Sequence, residues 1–558
     1  MTVMNRLEAF AMVSAPGQPL EMIEVDVYGR SCRDYKHAPQ SLRDLYQQNL
    51  SDKTFVVFEE DRYSFLDIWA AANAFGAGLV KDYHIQKGDR VAICLRNYPE
   101  WIIAFEAITS VGAIVVAMNS LWQADEIYYG LQNSGCSLLI ADQERCDLLA
   151  KANLDRSYPT LVVRGANDGT LARWEDLLQR HQNASMPEVA IAAMDDVMIL
   201  YTSGSTGRPK GVVSSNKAVI SALLSWEIAI YAWLLTKGIP IAPPAQQPAA
   251  LLAVPMFHVS GCHAIFLSAF RSQTKLVLTR KWDPTQAAAL IQQEQISGFT
   301  APAAMTADLI YHARQGNHDL SSLIMVGGGG AARAPEQVRD IDSAFANAMP
   351  NTGWGMTETN AIGTAIAGED YLGRPGSSGL PAAVLDIRIA NQEGHALPVG
   401  AQGEIQIRGT SMFRGYWNNP KATAAAHIDG WFKTGDLGYL DEEGYLFIVD
   451  RIKDMVIRGG ENIGCGEVEA ALLDHPQIRE AAVYSIPDER LGEEVAATIF
   501  CDSLINEAAL RTFLAPRLAK FKIPRYIRQS NDSLPRIASG KIFKLQIRQD
   551  ARTAILKE

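Results

Sequence analysis

Tyr201-Thr202-Ser203-Gly204-Ser205-Thr206-Gly207-Arg208-Pro209-Lys210-Gly211-Val212 is the stretch from which the rest of the chain is read. Hydroxyl side chains alternate with glycines, and two cations close the run. It follows an apolar segment, Val197-Met198-Ile199-Leu200, that reads as the end of a buried strand. Glycines let backbone N–H groups approach an anion, and the hydroxyls add donors. The combination fits a polyphosphate. It is not a Walker A loop, because Pro209 rather than glycine precedes Lys210 and no serine or threonine follows it. A flexible surface loop is the competing reading, since glycine-rich loops are common.

The surrounding composition is that of a folded enzyme. With 558 residues the chain is too long for one ordinary core. Apolar residues make up 48% and charged residues 20%, which excludes a disordered chain. A net charge of −11 argues against a nucleic-acid partner. Seven scattered cysteines without a CxxC pair point to a reducing compartment and against a zinc site. The first twenty residues lack a sustained apolar run, so no signal peptide is expected. The longest apolar stretch, Ile228 to Leu235, is short for a membrane span. A cytoplasmic protein with no integral membrane segment is the expectation.

Upstream of the central stretch, residues 1–50 read as irregular. Thr54–Phe58, Arg90–Cys94, Ala113–Ala117, Ser137–Ala141 and Thr160–Val163 read as strands. Ser64 is placed to cap a helix reaching about Lys81, and Pro99 opens another that reaches Gly112. Strands alternating with helices predict an α/β domain with largely parallel sheets. Downstream, Lys237 to Pro248 reads as a loop. His258 lies where a strand turns into a helix. The run Leu323-Ile324-Met325-Val326 leads into Gly327-Gly328-Gly329-Gly330, which predicts a glycine loop that a flat ligand can approach.

The second motif is Asn351-Thr352-Gly353-Trp354-Gly355-Met356-Thr357-Glu358-Thr359. Trp354 offers an aromatic face to a base. Thr357 can donate to a phosphate oxygen. Glu358 is a hard oxygen ligand of the kind Mg²⁺ takes together with substrate phosphates. From about residue 380 the texture changes to short alternating strands, Leu385–Ile389 and Gly403–Gly409, predicting a small antiparallel or barrel subdomain. Gly430-Trp431-Phe432-Lys433-Thr434-Gly435-Asp436-Leu437-Gly438 places Asp436 beside a glycine in what reads as a tight turn. Asp450-Arg451-Ile452-Lys453 and Arg458-Gly459-Gly460 follow, then a compact α+β segment ending Ser539-Gly540-Lys541.

Taken together, in this order, these motifs resemble the adenylate-forming family of acyl-CoA synthetases, coumarate-CoA ligases, luciferase and peptide-synthetase adenylation domains. The texture is most similar to that of fatty-acid-CoA ligases. The resemblance covers about residues 50–550. It departs at Trp354, where the family usually carries tyrosine. It implies an N-terminal AMP-binding domain over 1–450, whose residues from about 380 form a small β-barrel subdomain. It also implies a small mobile α+β domain over 451–558, with the hinge near Lys453.

The resemblance further implies ATP, Mg²⁺ and CoA as cofactors, a small-molecule carboxylic acid as substrate, and leaves a homodimer open. Thr202, Ser203, Gly204, Ser205, Thr206, Gly207 and Lys210 would hold the phosphates. Gly329, Gly330, Trp354 and Thr357 would hold adenine and phosphate, Asp436 the ribose hydroxyls, and Arg451 ribose or phosphate. Lys541, Glu358, Thr206 and His258 would be catalytic, with Glu358 as the metal ligand. His258, Gly329 and Gly355 would line the acyl site, and Arg458, Gly459 and Gly460 the CoA channel. Because Gly355 has no side chain, the acyl cavity is expected to continue past it, between the small residues Ala301, Ala303 and Ala304. No cation for a second carboxylate stands out. The implied reaction joins a carboxylic acid of medium or longer chain to CoA through an acyl-AMP. The alternatives are carrier-protein loading and an aryl or branched acid.

Overall fold

The computed structural model describes residues 4–152, 158–166, 169, 171–202, 208–329, 333, 335–459, 461–501, 503–536 and 541–555. Local signals start several of its helices. Ser64 Oγ accepts the Asp67 N–H and Asp67 returns the bond to the Ser64 N–H, capping the helix Phe65–Lys81. Pro99 occupies the first turn of Pro99–Ser110, where its missing N–H removes no helical bond. These two helices pack on each other, and every residue of the second except Glu100 is buried.

Two large sheets lie on either side of that core. The first has eight strands among the described residues. Its centre is parallel: Asp196–Thr202, Ile114–Ala117, Arg90–Cys94, Leu138–Asp142 and Thr160–Val163. Lys210–Ser215 closes one flank antiparallel to Asp196–Thr202. The second sheet has nine strands. Parallel strands Met349–Gly355, Met325–Gly329, Gly298–Thr300, Ala249–Leu252, Lys275–Leu278 and Thr54–Phe58 form its body. The fold is thus mixed α/β, and its strands are near-continuous apolar runs because both faces are covered.

A small antiparallel sheet follows, built from Leu385–Ala390, Gly403–Gly409, Trp431–Leu440, His427–Ile428 and Leu446–Arg451. Its pairing path runs from Leu385–Ala390 to His427–Ile428. The last segment builds a separate five-stranded sheet around Ile478–Asp488 and Gly492–Cys501. It also has separate cores. The main buried cluster ends at Leu446, and the next begins at Val456.

The N-terminal region is more regular than its sequence suggests. Arg6–Val13 is a helix with an Asn5/Glu8 capping box, Met22–Asp26 pairs with Ser31–Tyr35, and Ser41 caps Leu42–Gln48. The cap residues were visible in the sequence, but no strong apolar period accompanied them. A second correction concerns the apolar stretch near 228–235. It belongs to a helix, Asn216–Thr236, that is long and apolar enough to cross a membrane by length and composition, and most of its most apolar 18 residues are buried inside the protein.

Candidate active site

The carboxyl ends of the strands that carry the motifs open onto one cleft of about 2970 Å³. Thr202 ends one strand and Lys210 starts its antiparallel neighbour, and the two residues are register partners. Ser203, Gly204, Ser205, Thr206 and Gly207 lie outside the described residues, as do Gly330 and Gly460. Lys210 Nζ sits 5.0 Å over the ring of Tyr416. The Tyr416 hydroxyl donates to Oε1 of Glu358 at 2.8 Å. Tyr416 therefore joins two of the predicted residues, although its sequence context, an isolated tyrosine before Trp417, offered no motif.

Glu358 is only 8% exposed. Burial pushes its carboxyl up, against Tyr416, its own backbone, Arg451 and Lys210, which pull it down. A carboxylate in that setting, with the second oxygen free of Tyr416, fits the single protein ligand that Mg²⁺ commonly takes beside phosphates. No cluster of three or more acidic, histidine or cysteine ligands occurs among the described residues.

Asp436 is not in a tight turn. It lies inside the strand Trp431–Leu440, 3% exposed, where Gly435 takes φ +73° at an irregularity in the pairing. Trp354 Nε1–H donates to its Oδ2 at 2.9 Å, and Arg451 Nε lies 3.1 Å from its Oδ1. Lys541 comes from far along the chain to the same place. Burial and Arg451 lower its ammonium pKa, and Asp436 opposes them. Lys541 in turn acts on His258. Burial first, then that ammonium, bring the His258 imidazole down to about 4, and its Nε2 has no partner among the described residues. His258 caps the short helix Val259–Gly261, which continues into a π-helical turn over Cys262–Leu267. Such turns recur at functional sites.

The glycines behave differently from expectation. Gly327, Gly328 and Gly329 belong to a strand rather than a loop. A Cβ there would lie 2.0 Å from Asn351 O, 2.1 Å from Ala301 O and 2.4 Å from Gly353 O respectively, so close strand approach explains them. Gly355 lines the cleft, yet its missing side chain faces backbone. A Cβ would stand 2.1 Å from the carbonyl oxygen of Ala361. The cleft does not continue through that point. Ala301, Ala303 and Ala304 do line it, together with Trp226, Ala229 and Trp233 of the helix Asn216–Thr236.

Two further expectations shift. Arg458 pairs with Glu494 through Nη2–Oε1 at 2.7 Å and Nε–Oε2 at 2.8 Å, and neither it nor Gly459 lines the cleft in this arrangement. Gly459 takes φ +59°, which explains the glycine locally. A cation does line the cleft. Arg333 bonds Gln337 Oε1 at 2.7 Å and has no carboxylate partner among the described residues, and its Nε is buried without a partner.

A strand-end cleft with a buried glutamate, a buried aspartate bonded to an aromatic ring, and a lysine delivered from a second core fits a nucleotide-activating enzyme class. Over residues 44–417 the chain matches the AMP-binding enzyme family, and over 467–541 the AMP-binding enzyme C-terminal domain. The chain belongs to this family. It is 31% identical, over 89% of this chain and 94% of the other, to "Long-chain-fatty-acid--CoA ligase FadD13" of Mycobacterium tuberculosis. It is 31% identical to "2-succinylbenzoate--CoA ligase" of Bacillus velezensis, over 89% and 95%. The solved o-succinylbenzoate coenzyme A synthetase of Bacillus subtilis, in complex with ATP and magnesium ion, superposes with a TM-score of 0.77 at 27% identity, over 91% and 99%.

Proposed function

We propose that this enzyme is an ATP-dependent acid–CoA ligase acting on an apolar carboxylic acid of medium or longer chain. ATP, Mg²⁺ and CoA are its cofactors. The observation that carries the reading is the convergence of Glu358, Asp436, His258 and Lys541 on one cleft whose far wall is apolar. A substrate carboxylate oxygen attacks the α-phosphorus of ATP, pyrophosphate leaves, and an acyl-AMP remains. The CoA thiolate then attacks the acyl carbonyl and AMP departs. Carboxylate and triphosphate repel, so the first step needs cations and donors aimed at the phosphates. Lys210, Thr202, Thr357 and Lys541 supply them, with Ser205 and Thr206 of the phosphate stretch. Glu358 would hold Mg²⁺, which neutralises phosphate charge. Asp436 accepts the ribose hydroxyls, and Trp354 offers its face to adenine. Neutral His258 stands at the acyl end of the cleft.

The relatives named above include ligases for a fatty acid and for 2-succinylbenzoate. A second reading, an acid bearing a further carboxylate or carbonyl, is favoured by Arg333, a guanidinium on the cleft wall without an acidic partner. Its buried, unpartnered Nε–H can donate to an acceptor on the substrate. The cytoplasm is the proposed location, in keeping with seven cysteines that are all buried.

Pyrophosphate release with ATP, Mg²⁺ and acetate, octanoate, palmitate, a benzoate or 2-succinylbenzoate, each with and without CoA, tests the reading. Octanoate or palmitate should exceed acetate, and thioester should appear only with CoA. A preference for acetate overturns the apolar assignment. A preference for 2-succinylbenzoate favours the second reading, and adenylation without any CoA thioester favours a carrier-protein acceptor.

A further inference from the structure

Trp354 does more than present a ring. Its indole N–H reaches 82 residues along the chain to Oδ2 of Asp436 at 2.9 Å. The other carboxylate oxygen faces Nε of Arg451 at 3.1 Å. Asp436 is buried, and its own N–H is held by Thr434 Oγ1 at 3.1 Å, so neither its backbone nor its side chain is loosely placed. The indole is braced in turn. Gly363 lies against it so closely that a Cβ there would come 2.8 Å from Cε3 of the ring.

A carboxylate offers about four acceptor positions, two on each oxygen. Here the indole N–H takes one position on Oδ2, and the Arg451 guanidinium faces Oδ1 as an ion pair. Acceptor capacity is left on both oxygens. A vicinal diol presents two hydroxyl donors, one for each. The arrangement suits a ribose and is wasteful for a sugar with a single hydroxyl.

We propose that Trp354 is a positioning residue: its indole N–H, opposite the Arg451 ion pair, fixes the rotamer of Asp436 so that the acceptor capacity left on its two oxygens selects a 2′,3′-diol over a 2′-deoxyribose. This rests on the reading of Asp436 as the ribose ligand. A purely structural or purely stacking role for Trp354 predicts something else. Either would weaken binding of ribo- and deoxyribonucleotides by the same factor.

The test needs no acid substrate. Full-length parent, Trp354→Phe, Trp354→Leu and Asp436→Ala are titrated calorimetrically with AMP and with 2′-deoxy-AMP. The parent should favour AMP, and Asp436→Ala should lose that preference. Trp354→Phe keeps a ring but removes the donor, and the AMP preference should fall by about tenfold, the scale of a hydrogen bond to a charged group. Trp354→Leu should lose affinity for both ligands and show the same fall in preference, so it stands in should the phenylalanine variant fold poorly. An unchanged preference in both tryptophan variants overturns the positioning role while leaving the ribose reading intact. A parent-like preference in Asp436→Ala overturns the ribose reading itself.

Discussion

Lys541 shows how the fold brings a side chain from far along the chain to the cleft. It is a solvated-looking lysine after Ser539 and Gly540, yet the fold brings it within electrostatic reach of Asp436, Arg451 and His258. Removing one such charge-stabilising donor typically costs roughly a hundred- to thousandfold in rate. Lys541→Ala should therefore cripple pyrophosphate release while thioester formation from supplied acyl-AMP survives. A variant releasing pyrophosphate at the parent rate would show the lysine to be idle. Gly355 carries the opposite lesson. A side chain there meets the Ala361 carbonyl at 2.1 Å, so Gly355→Ala should lower Tm and loosen the strand pairing with Gly363 instead of shortening the acid preference. Melting curves and the acid panel on one preparation separate the two effects.

At the scale of elements, the helix Pro99–Ser110, buried except at Glu100, carries a carboxyl with neither oxygen partnered. Glu106 is 0% exposed, and neither carboxyl oxygen has a partner among the described residues. Burial holds its carboxyl well above the ordinary 4.5. The folded state keeps a proton that the unfolded chain releases above about pH 4.5. Glu106 thus subtracts stability progressively as pH rises from there. Glu106→Met, of similar volume, should raise stability by about 1–3 kcal/mol. The gain should be larger at pH 8 than at pH 5 in urea melts. An equal gain at both would mean the carboxyl is not protonated in the fold. The strand Met349–Gly355 illustrates the complementary case: one short element supplies Trp354 for Asp436 and then turns at Thr357–Thr359 to deliver Glu358.

For the whole molecule, the decisive feature is that two sets of cores meet at the cleft. The strand ending at Arg451 reaches across the junction. Asp450 Oδ2 accepts the N–H groups of Cys465 and Gly466, capping the helix Cys465–Leu473 from outside it. Beyond Asp450, Ile452–Asp454 is a turn, and Lys453 is exposed there. Arg458 and Gly459, predicted to serve CoA, lie off the cleft while Lys541 lies in it. We propose that the segment after 450 rotates about Lys453 between the two half-reactions, releasing the Asp450 cap as it turns. Proline restricts φ to near −65°. Lys453→Pro should then slow thioester formation severalfold or more and leave pyrophosphate release near the parent rate. Equal loss in separately assayed half-reactions would argue against a hinge at this residue.

The sequence by itself determined the class of fold, the order of the motifs and the chemistry they offer. Those properties rest on short-range physics. Apolar runs read as buried strands, Ser64 and Asp67 cap a helix three residues apart, and a hydroxyl–glycine run before Lys210 offers the donors a phosphate takes. The resemblance could then assign Glu358, Asp436 and Lys541 together. What the sequence did not show depends on which distant segments touch. The Tyr416 bond to Glu358 spans 58 residues, and the Trp354 bond to Asp436 spans 82. Arg333 without an acid and Gly355 against Ala361 are likewise facts of packing, because a side chain's partners are set by the closed fold and not by its neighbours in the chain. Only the tertiary structure could decide that the glycines at 327–329 serve strand approach, that Trp226 and Ala303 line one cleft, and that the Trp354 indole bonds the Asp436 carboxylate.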